Sequence, residues 1–92
     1  GVRIVTLRYG TGVFTYTPGR TWASNMQSFT ASPQTALSTS DVDEIVIDLA
    51  TTSWVTGGGI ILRGTNSGSP AVTAAINILT AVPIPNVTVL FI

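Results

Sequence analysis

The sequence contains no cysteine, no histidine and no lysine. Without cysteine, the chain can form no disulfide and offers no thiolate to a metal ion. Without histidine as well, the usual zinc ligands are missing, and so is the base of a serine-hydrolase triad. These absences predict that the chain has no catalytic residue, no metal site and no cofactor.

Charged side chains are also scarce, at 9% of the residues. Four arginines balance four acidic residues, so the net charge is zero. A neutral chain lacks the basic surface that binds nucleic acid and the polybasic cluster that holds a protein on an anionic membrane. Residues 64–92 are free of charge and long enough to span a bilayer, but prolines and asparagines interrupt them. We therefore expect neither nucleic acid nor a membrane among the partners.

Two segments show the spacing of an amphipathic helix. The first is predicted over residues 41–52, with Ser40 as its N-cap. Its predicted buried face consists of Val42, Ile45, Val46 and Leu49. The second begins at Ser69 and Pro70 and ends before Pro83. Its predicted buried face consists of Val72, Ala75, Ile76, Leu79 and Val82.

Four short apolar runs are predicted to be strands, at residues 2–7, 26–32, 60–63 and 87–92. The glycines at 57–59 are predicted to form the turn into the third strand. Each strand has two inward positions, and the pairs align as Val5/Leu7, Phe29/Ala31, Ile60/Leu62 and Val87/Val89. Strands that alternate with helices are typical of an α/β fold built from parallel βαβ units with right-handed crossovers. The alternative is an α+β fold, in which residues 2–7 and 13–17 form an N-terminal β-hairpin across a turn at residues 10–12.

The aligned pairs recur at intervals of roughly 24–31 residues, which is typical of the stacked repeats of a solenoid. We expect a single domain over residues 1–92, with repeats at about 1–25, 26–56 and 57–86 and a closing strand at 87–92. The apolar positions of the first two repeats approximate the pattern L-x-x-L-x-L-x-x-N-x-L. Phe14, Tyr16 and Trp22 lie in the irregular first repeat. We interpret them as a cap on the N-terminal end of the core, and an exposed aromatic contact is the alternative.

Four segments carry a resemblance to a known family: ALSTSDVDEIVIDLA, TGGGIILRGTNSGSP, AVTAAINILTA and VTV. They resemble the degenerate leucine-rich-repeat segments at the ends of phage tail-fibre and structural proteins and of bacterial surface proteins. The shared order is a loop, a VD-I---L helix, a strand preceded by glycine, a helix begun by proline and a closing strand. The resemblance covers residues 26–92. It implies a small leucine-rich-repeat-like solenoid with parallel strands.

In a solenoid, the outward positions of the strands stack into a surface that binds partners. Arg8 and Arg63 are the candidate hydrogen-bonding anchors of that surface. The first predicted row is Thr6, Thr30, Ile61 and Thr88, and the second is Arg8, Ser32, Arg63 and Leu90. A plain β surface with no binding role is the alternative.

Two other features could suggest a chemical site. Asp41 and Glu44 have the i, i+3 spacing of a carboxylate pair, but their position in the first turn of a helix favours capping and a solvated face. The three glycines at 57–59 could cradle a phosphate, but no Lys-Ser/Thr pair follows them as in a phosphate-binding loop. Neither feature predicts a catalytic or phosphate site.

The function implied by the resemblance is that of a non-enzymatic phage virion protein, structural or adhesive in the manner of a tail fibre. Its expected partners are other protein subunits, in a homo-oligomer or a larger assembly, and a cell-surface receptor or glycan is a further candidate. Its expected location is the virion. The alternative is a protein-interaction module on the bacterial cell surface.

Overall fold

The computed structural model describes residues 3–7, 16–19, 22, 24–33 and 35–92. The described chain is a mixed α/β structure with one parallel sheet of four strands and two helices. The strands lie in the sheet in chain order, which confirms the predicted arrangement. The elements are β1 (Ile4–Leu7), β2 (Met26–Ala31), α1 (Thr39–Ala50), β3 (Trp54–Leu62), α2 (Pro70–Thr80) and β4 (Thr88–Phe91).

The first strand pairs in parallel with β2, as the α/β prediction requires. The hairpin of the alternative fold would have used residues 10–12 as its turn. Those residues, and residues 13–15 of its second strand, lie outside the described part of the chain. Tyr16 and Thr17, which are described, lie outside any strand.

Helix α1 begins two residues earlier than predicted. Its N-cap is Ser38, whose Oγ accepts a hydrogen bond from the backbone N–H of Asp41 at 3.1 Å. The predicted N-cap, Ser40, lies inside the helix. Because the cap is Ser38, Asp43 lies beyond the first turn of the helix. Its carboxylate accepts a hydrogen bond from the backbone N–H of Ser67, in the loop before α2. The predicted face is confirmed, because its four apolar residues are all fully buried.

Helix α2 begins as predicted, with Ser69 as N-cap and Pro70 as its first residue. Leu79 is buried, as are Val72 and Ala75. Ile76 was predicted to be buried but is only partly so. Val82 was predicted on the same face, but it is 74% exposed. The helix ends at Thr80 and Ala81 is its non-helical C-cap, so the helical spacing does not reach position 82.

Strand β3 is longer than predicted and includes the three glycines that were predicted to form a turn. Its start is anchored by Trp54, whose indole N–H donates to the carbonyl of Leu49 at 2.9 Å. Met26 pairs with Trp54 and Ser28 with Gly59, so Gln27 of β2 stands opposite residues 55–58 of β3. Such a bulge places extra residues in one strand without breaking the sheet.

Both helices pack on one face of the sheet and against each other. The inward strand residues and the buried helix residues form a single apolar core. No charged or polar residue is buried in the part of the chain that the structure describes. The opposite face of the sheet is not covered by either helix.

The predicted alignment is confirmed for the first three strands but is wrong for the fourth by two residues. Ile60 pairs with Val89, and Leu62 pairs with Phe91. Val87, which was predicted to pair with Ile60, precedes the strand, and its N–H donates to the carbonyl of Leu79 at 2.8 Å. A two-residue shift leaves the alternation of faces unchanged, so the pattern of apolar residues alone does not distinguish the two registers.

Candidate interaction surface

The sheet has a second face, which we call the open face, on the side opposite the helices. The strand register arranges its residues in rows across the sheet. One row is Ile4, Ser28, Gly59 and Thr88, and the next is Thr6, Thr30, Ile61 and Leu90. The predicted first row is therefore correct for Thr6, Thr30 and Ile61. It is wrong for Thr88, because the two-residue shift of β4 puts Leu90 in that place.

The second predicted row continues the sheet beyond the strand ends. Ladder hydrogen bonds run from the N–H of Ser32 to Leu7, from that of Arg63 to Ala31, and from that of Ile92 to Leu62. Ile92, rather than the predicted Leu90, thus lies next to Arg63. Arg8, predicted in the same row, lies outside the described residues.

The described open face carries hydroxyl groups and aliphatic side chains. Ile4 is 57% exposed and Leu90 is 49% exposed, while Thr30 and Ile61 in the central strands are partly buried. Apart from Arg63 at its end, no ionisable group lies on the described rows, and no aromatic ring lies on them. This chemistry suits the burial of apolar area with a few hydrogen bonds. It provides no nucleophile with a neighbouring base.

Arg63 is held at one end of the open face. Its Nη1 donates to the backbone carbonyl of Pro33 at 3.2 Å, and the residue is exposed. A guanidinium has five N–H donors, so a single bond to one carbonyl leaves most of its capacity for a partner. Arg63 therefore has N–H groups left for further hydrogen bonds, and its role as an anchor stays a prediction.

Of the possible pair Asp41 and Glu44, only Asp41 lies in the first turn of α1, and the other two carboxylates of the helix make structural contacts. Asp43 accepts hydrogen bonds from the backbone N–H of Ser67 at 2.9 Å and from the Ser67 hydroxyl. Asp48 accepts from the phenol of Tyr16 at 2.7 Å and from the N–H of Gly19 at 3.0 Å. Within the described ranges, no three residues of the metal-ligating types come close enough together to hold an ion. Asp43 and Asp48 tie separate segments of the chain to α1.

Two described aromatic residues that precede β2, Tyr16 and Trp22, pack in or against the core. Tyr16 is 5% exposed, and its hydroxyl also accepts a hydrogen bond from Nε1 of Trp22 at 3.3 Å. The Trp22 ring meets the buried ring of Phe29 edge to face, with centroids 5.0 Å apart. Tyr16 and Trp22 thus pack on the core and do not form the alternative exposed aromatic contact, while Phe14 lies outside the described residues. The bond between Tyr16 and Asp48 was not predicted, because the two residues are far apart in sequence.

Neither helix that the structure describes has the length and the apolar run needed to cross a membrane. Comparisons of the chain with protein-family models, with curated proteins and with solved structures find no match.

Proposed function

We propose that this chain is a non-enzymatic interaction module, a structural or adhesion component that acts through protein–protein contacts on the open face. The observation that carries the proposal is the helix-free side of an ordered parallel sheet. It presents rows of Thr, Ser, Ile and Leu side chains in a fixed register. A flat surface with apolar and hydroxyl groups and almost no charge fits the core of a protein interface.

We also propose that the fold is a leucine-rich-repeat-like solenoid with right-handed crossovers. Three features support it: the strands follow chain order, both helices lie on one face of the sheet, and strand and helix alternate from β2 onward. In such a stack, each repeat contacts only its neighbours, and the sheet face collects one strip of side chains from each repeat. The open face is then the binding surface of the solenoid.

The proposed location is the virion of a phage, on the strength of the resemblance to tail-fibre and structural proteins. The bacterial cell surface is the alternative location, with the same surface in use. The open face favours protein over glycan as the partner, because its described rows include no aromatic ring to stack on a sugar.

The location is tested by mass spectrometry of purified virions and of the cell envelope of the source. Peptides of this chain in the virions, at a fixed ratio to known virion proteins, support the virion proposal. Peptides in the envelope alone support the alternative. Peptides in neither fraction contradict both.

The role of the open face is tested in the same particles with a pair of variants. Thr30→Glu introduces a charge in the central row, and Thr73→Glu introduces the same charge on an exposed position of α2. Circular dichroism establishes that both variants fold. We expect Thr30→Glu to lose incorporation into the particle and Thr73→Glu to retain it. Equal incorporation of the two variants would contradict the assignment of the open face.

A further inference from the structure

The two edges of the sheet differ in charge. Strand β1 forms one edge, with Arg3 directly before it and Arg8 directly after it in the sequence. Charged residues at an edge discourage another strand from pairing there. Strand β4 forms the other edge, and residues 64–92, which include it, carry no ionisable side chain. The segment that contains β4 therefore has none of the charged side chains that flank β1 in the sequence.

The hydrogen bonds of β4 identify the backbone groups that point to this edge. Ile92 donates its N–H to Leu62 at 2.9 Å, and its carbonyl accepts from the N–H of Gly64 at 3.1 Å. The backbone N–H and C=O groups of Ile92 thus point to β3. Those of Leu90 do so too, because the direction of these groups alternates from one residue to the next along a strand. The N–H and C=O groups of Val89 and Phe91 consequently point away from β3. No described residue pairs with them.

We propose that this edge binds a second copy of the chain, through antiparallel pairing of the two β4 strands around a two-fold axis at Leu90. In an antiparallel pair, a residue whose backbone faces the partner exchanges both its hydrogen bonds with the residue opposite. Val89 lies opposite Phe91 of the second copy and Phe91 opposite Val89, which makes four hydrogen bonds. Leu90 lies opposite its own equivalent as a non-hydrogen-bonded pair.

The absence of charge favours a second copy over other partners. A two-fold axis brings identical residues together, so any charge near the axis would meet its own like. Residues 64–92 contain no ionisable side chain. Leu90, 49% exposed on the open face, becomes covered by an identical leucine. A partner that recognised its target by charge would find nothing to bind at this end.

The strand pairing needs support from neighbouring side chains, because a specific interface buries roughly 800 Å² on each partner and four strand residues supply only a part of that. The elements that lead into β4 carry further exposed aliphatic side chains. Ile78 of α2 is 56% exposed, and Val82 and Ile84 in the following loop are 74% and 68% exposed. These aliphatic groups belong to the same charge-free segment.

This inference deepens the proposed function, since it names one partner subunit, but it uses the β4 edge rather than the centre of the open face. The two therefore fail separately. If the chain is monomeric but Thr30→Glu is not incorporated into the particle, the proposed function stands and the dimer is contradicted. If the chain forms the dimer but Thr30→Glu is incorporated normally, the dimer stands and the role of the open face is contradicted.

The first test is sedimentation velocity of the full chain over a wide range of concentration, with two variants. Leu90→Lys places two like charges opposite each other at the axis, while Thr6→Lys makes the same change in the same row of the sheet, on the β1 edge. We expect the unmodified chain to form dimers. We expect Leu90→Lys to weaken the dimer at least roughly tenfold, because like charges directly opposite each other repel, and Thr6→Lys to leave it unchanged.

Three results would overturn the proposal. A chain that stays monomeric at every concentration tested shows that a second copy does not bind the β4 edge. Open-ended oligomers that both variants abolish indicate head-to-tail pairing of β4 with β1. A dimer that survives Leu90→Lys uses another surface.

The second test is cross-linking, which does not depend on weakening the dimer. Opposed residues of a non-hydrogen-bonded antiparallel pair have Cα atoms about 4.5 Å apart, within the range of a disulfide. Because the chain has no cysteine, Leu90→Cys provides a single thiol, and Thr6→Cys is its matched control. Under mild oxidation we expect Leu90→Cys to form a covalent dimer much faster than Thr6→Cys. Equal rates for the two variants would contradict the pairing at Leu90.

Discussion

A Cβ atom at Gly58 would lie 2.8 Å from Cε3 of Trp54, so the backbone of one residue and the indole ring of the other adjoin directly within β3. The carbonyl oxygen of Gln27 would lie 3.0 Å from the same Cβ. Position 58 therefore has no room for a side chain, which explains why a glycine lies in the bulged part of this strand. The anchored ring of Trp54 and the backbone of β2 leave little freedom to move away.

We predict that Gly58→Ala destabilises the protein by about 1–3 kcal/mol, the usual cost of overpacking. Urea unfolding followed by circular dichroism measures the change. The matched control is Gly59→Ala in the same strand, where an added Cβ meets nothing within 4 Å. Gly59→Ala should be neutral or slightly stabilising, because alanine restricts the unfolded chain. Equal losses in the two variants would show that the contact with Trp54 is not the cause.

We predict that Leu79→Ala costs about 2–5 kcal/mol, because Leu79 is 1% exposed and its removal leaves a cavity between α2 and the sheet. Leu49→Ala in α1, also fully buried, should cost a similar amount. Asn77→Ala is the control, since Asn77 lies in the same helix and is exposed. Its effect should stay within about 0.5 kcal/mol. A loss below about 1 kcal/mol for both leucines would contradict the core described above.

We predict that Tyr16→Phe lowers the free energy of unfolding by about 1–2 kcal/mol, because it removes a hydrogen bond to a carboxylate from a buried residue. The lost group is the hydroxyl that donates to Asp48 at 2.7 Å and accepts from Trp22. Thr17→Val, a change at the exposed neighbouring residue, controls for local effects. Tryptophan fluorescence, to which Trp22 and Trp54 both contribute, provides a second measurement. Unchanged stability and fluorescence in Tyr16→Phe would show that the bond contributes nothing.

We predict that Asp43→Ala loosens the loop before α2. Its carboxylate accepts two hydrogen bonds from Ser67, one of them from the backbone N–H. Amide hydrogen exchange at Ser67 should therefore become faster, while exchange in the core strands should change only slightly. Glu44→Ala, the adjacent change in the same helix, should leave exchange at Ser67 unaltered. The opposite pattern in these two variants would assign the loop contact to the wrong acid.

The elements of this fold could be predicted largely from local patterns. The i, i+3, i+4, i+7 spacing of Val42 and its partners located α1 and its buried face, and Ser69 with Pro70 located the start of α2. Val5 and Leu7 are two residues apart on one face of β1, and Phe29 and Ala31 are spaced likewise in β2. This spacing was enough to align the first two strands. These patterns succeed because helix and strand periods determine which side chains can share a face.

The candidate surface depended on relationships that no local pattern contains. The apolar alternation of β4 allows two registers, and the contact of Val87 with Leu79 selects the one that places Leu90 beside Ile61. The glycines at 57–59 looked like a turn, because the role of Gly58, which is to leave space for the Trp54 ring, arises only when β2 and β3 meet.

The amino-acid sequence by itself thus determined the helices, the inward face of each strand and the scarcity of charge, since these follow from residue types and their spacing. Only the tertiary structure decided which residues lie side by side on the open face and which strands form the two edges of the sheet. Both depend on contacts between residues that are distant in the chain, such as the hydrogen bond from Tyr16 to Asp48. The free energy of such a contact depends on two segments at once, so the local pattern of neither segment predicts it.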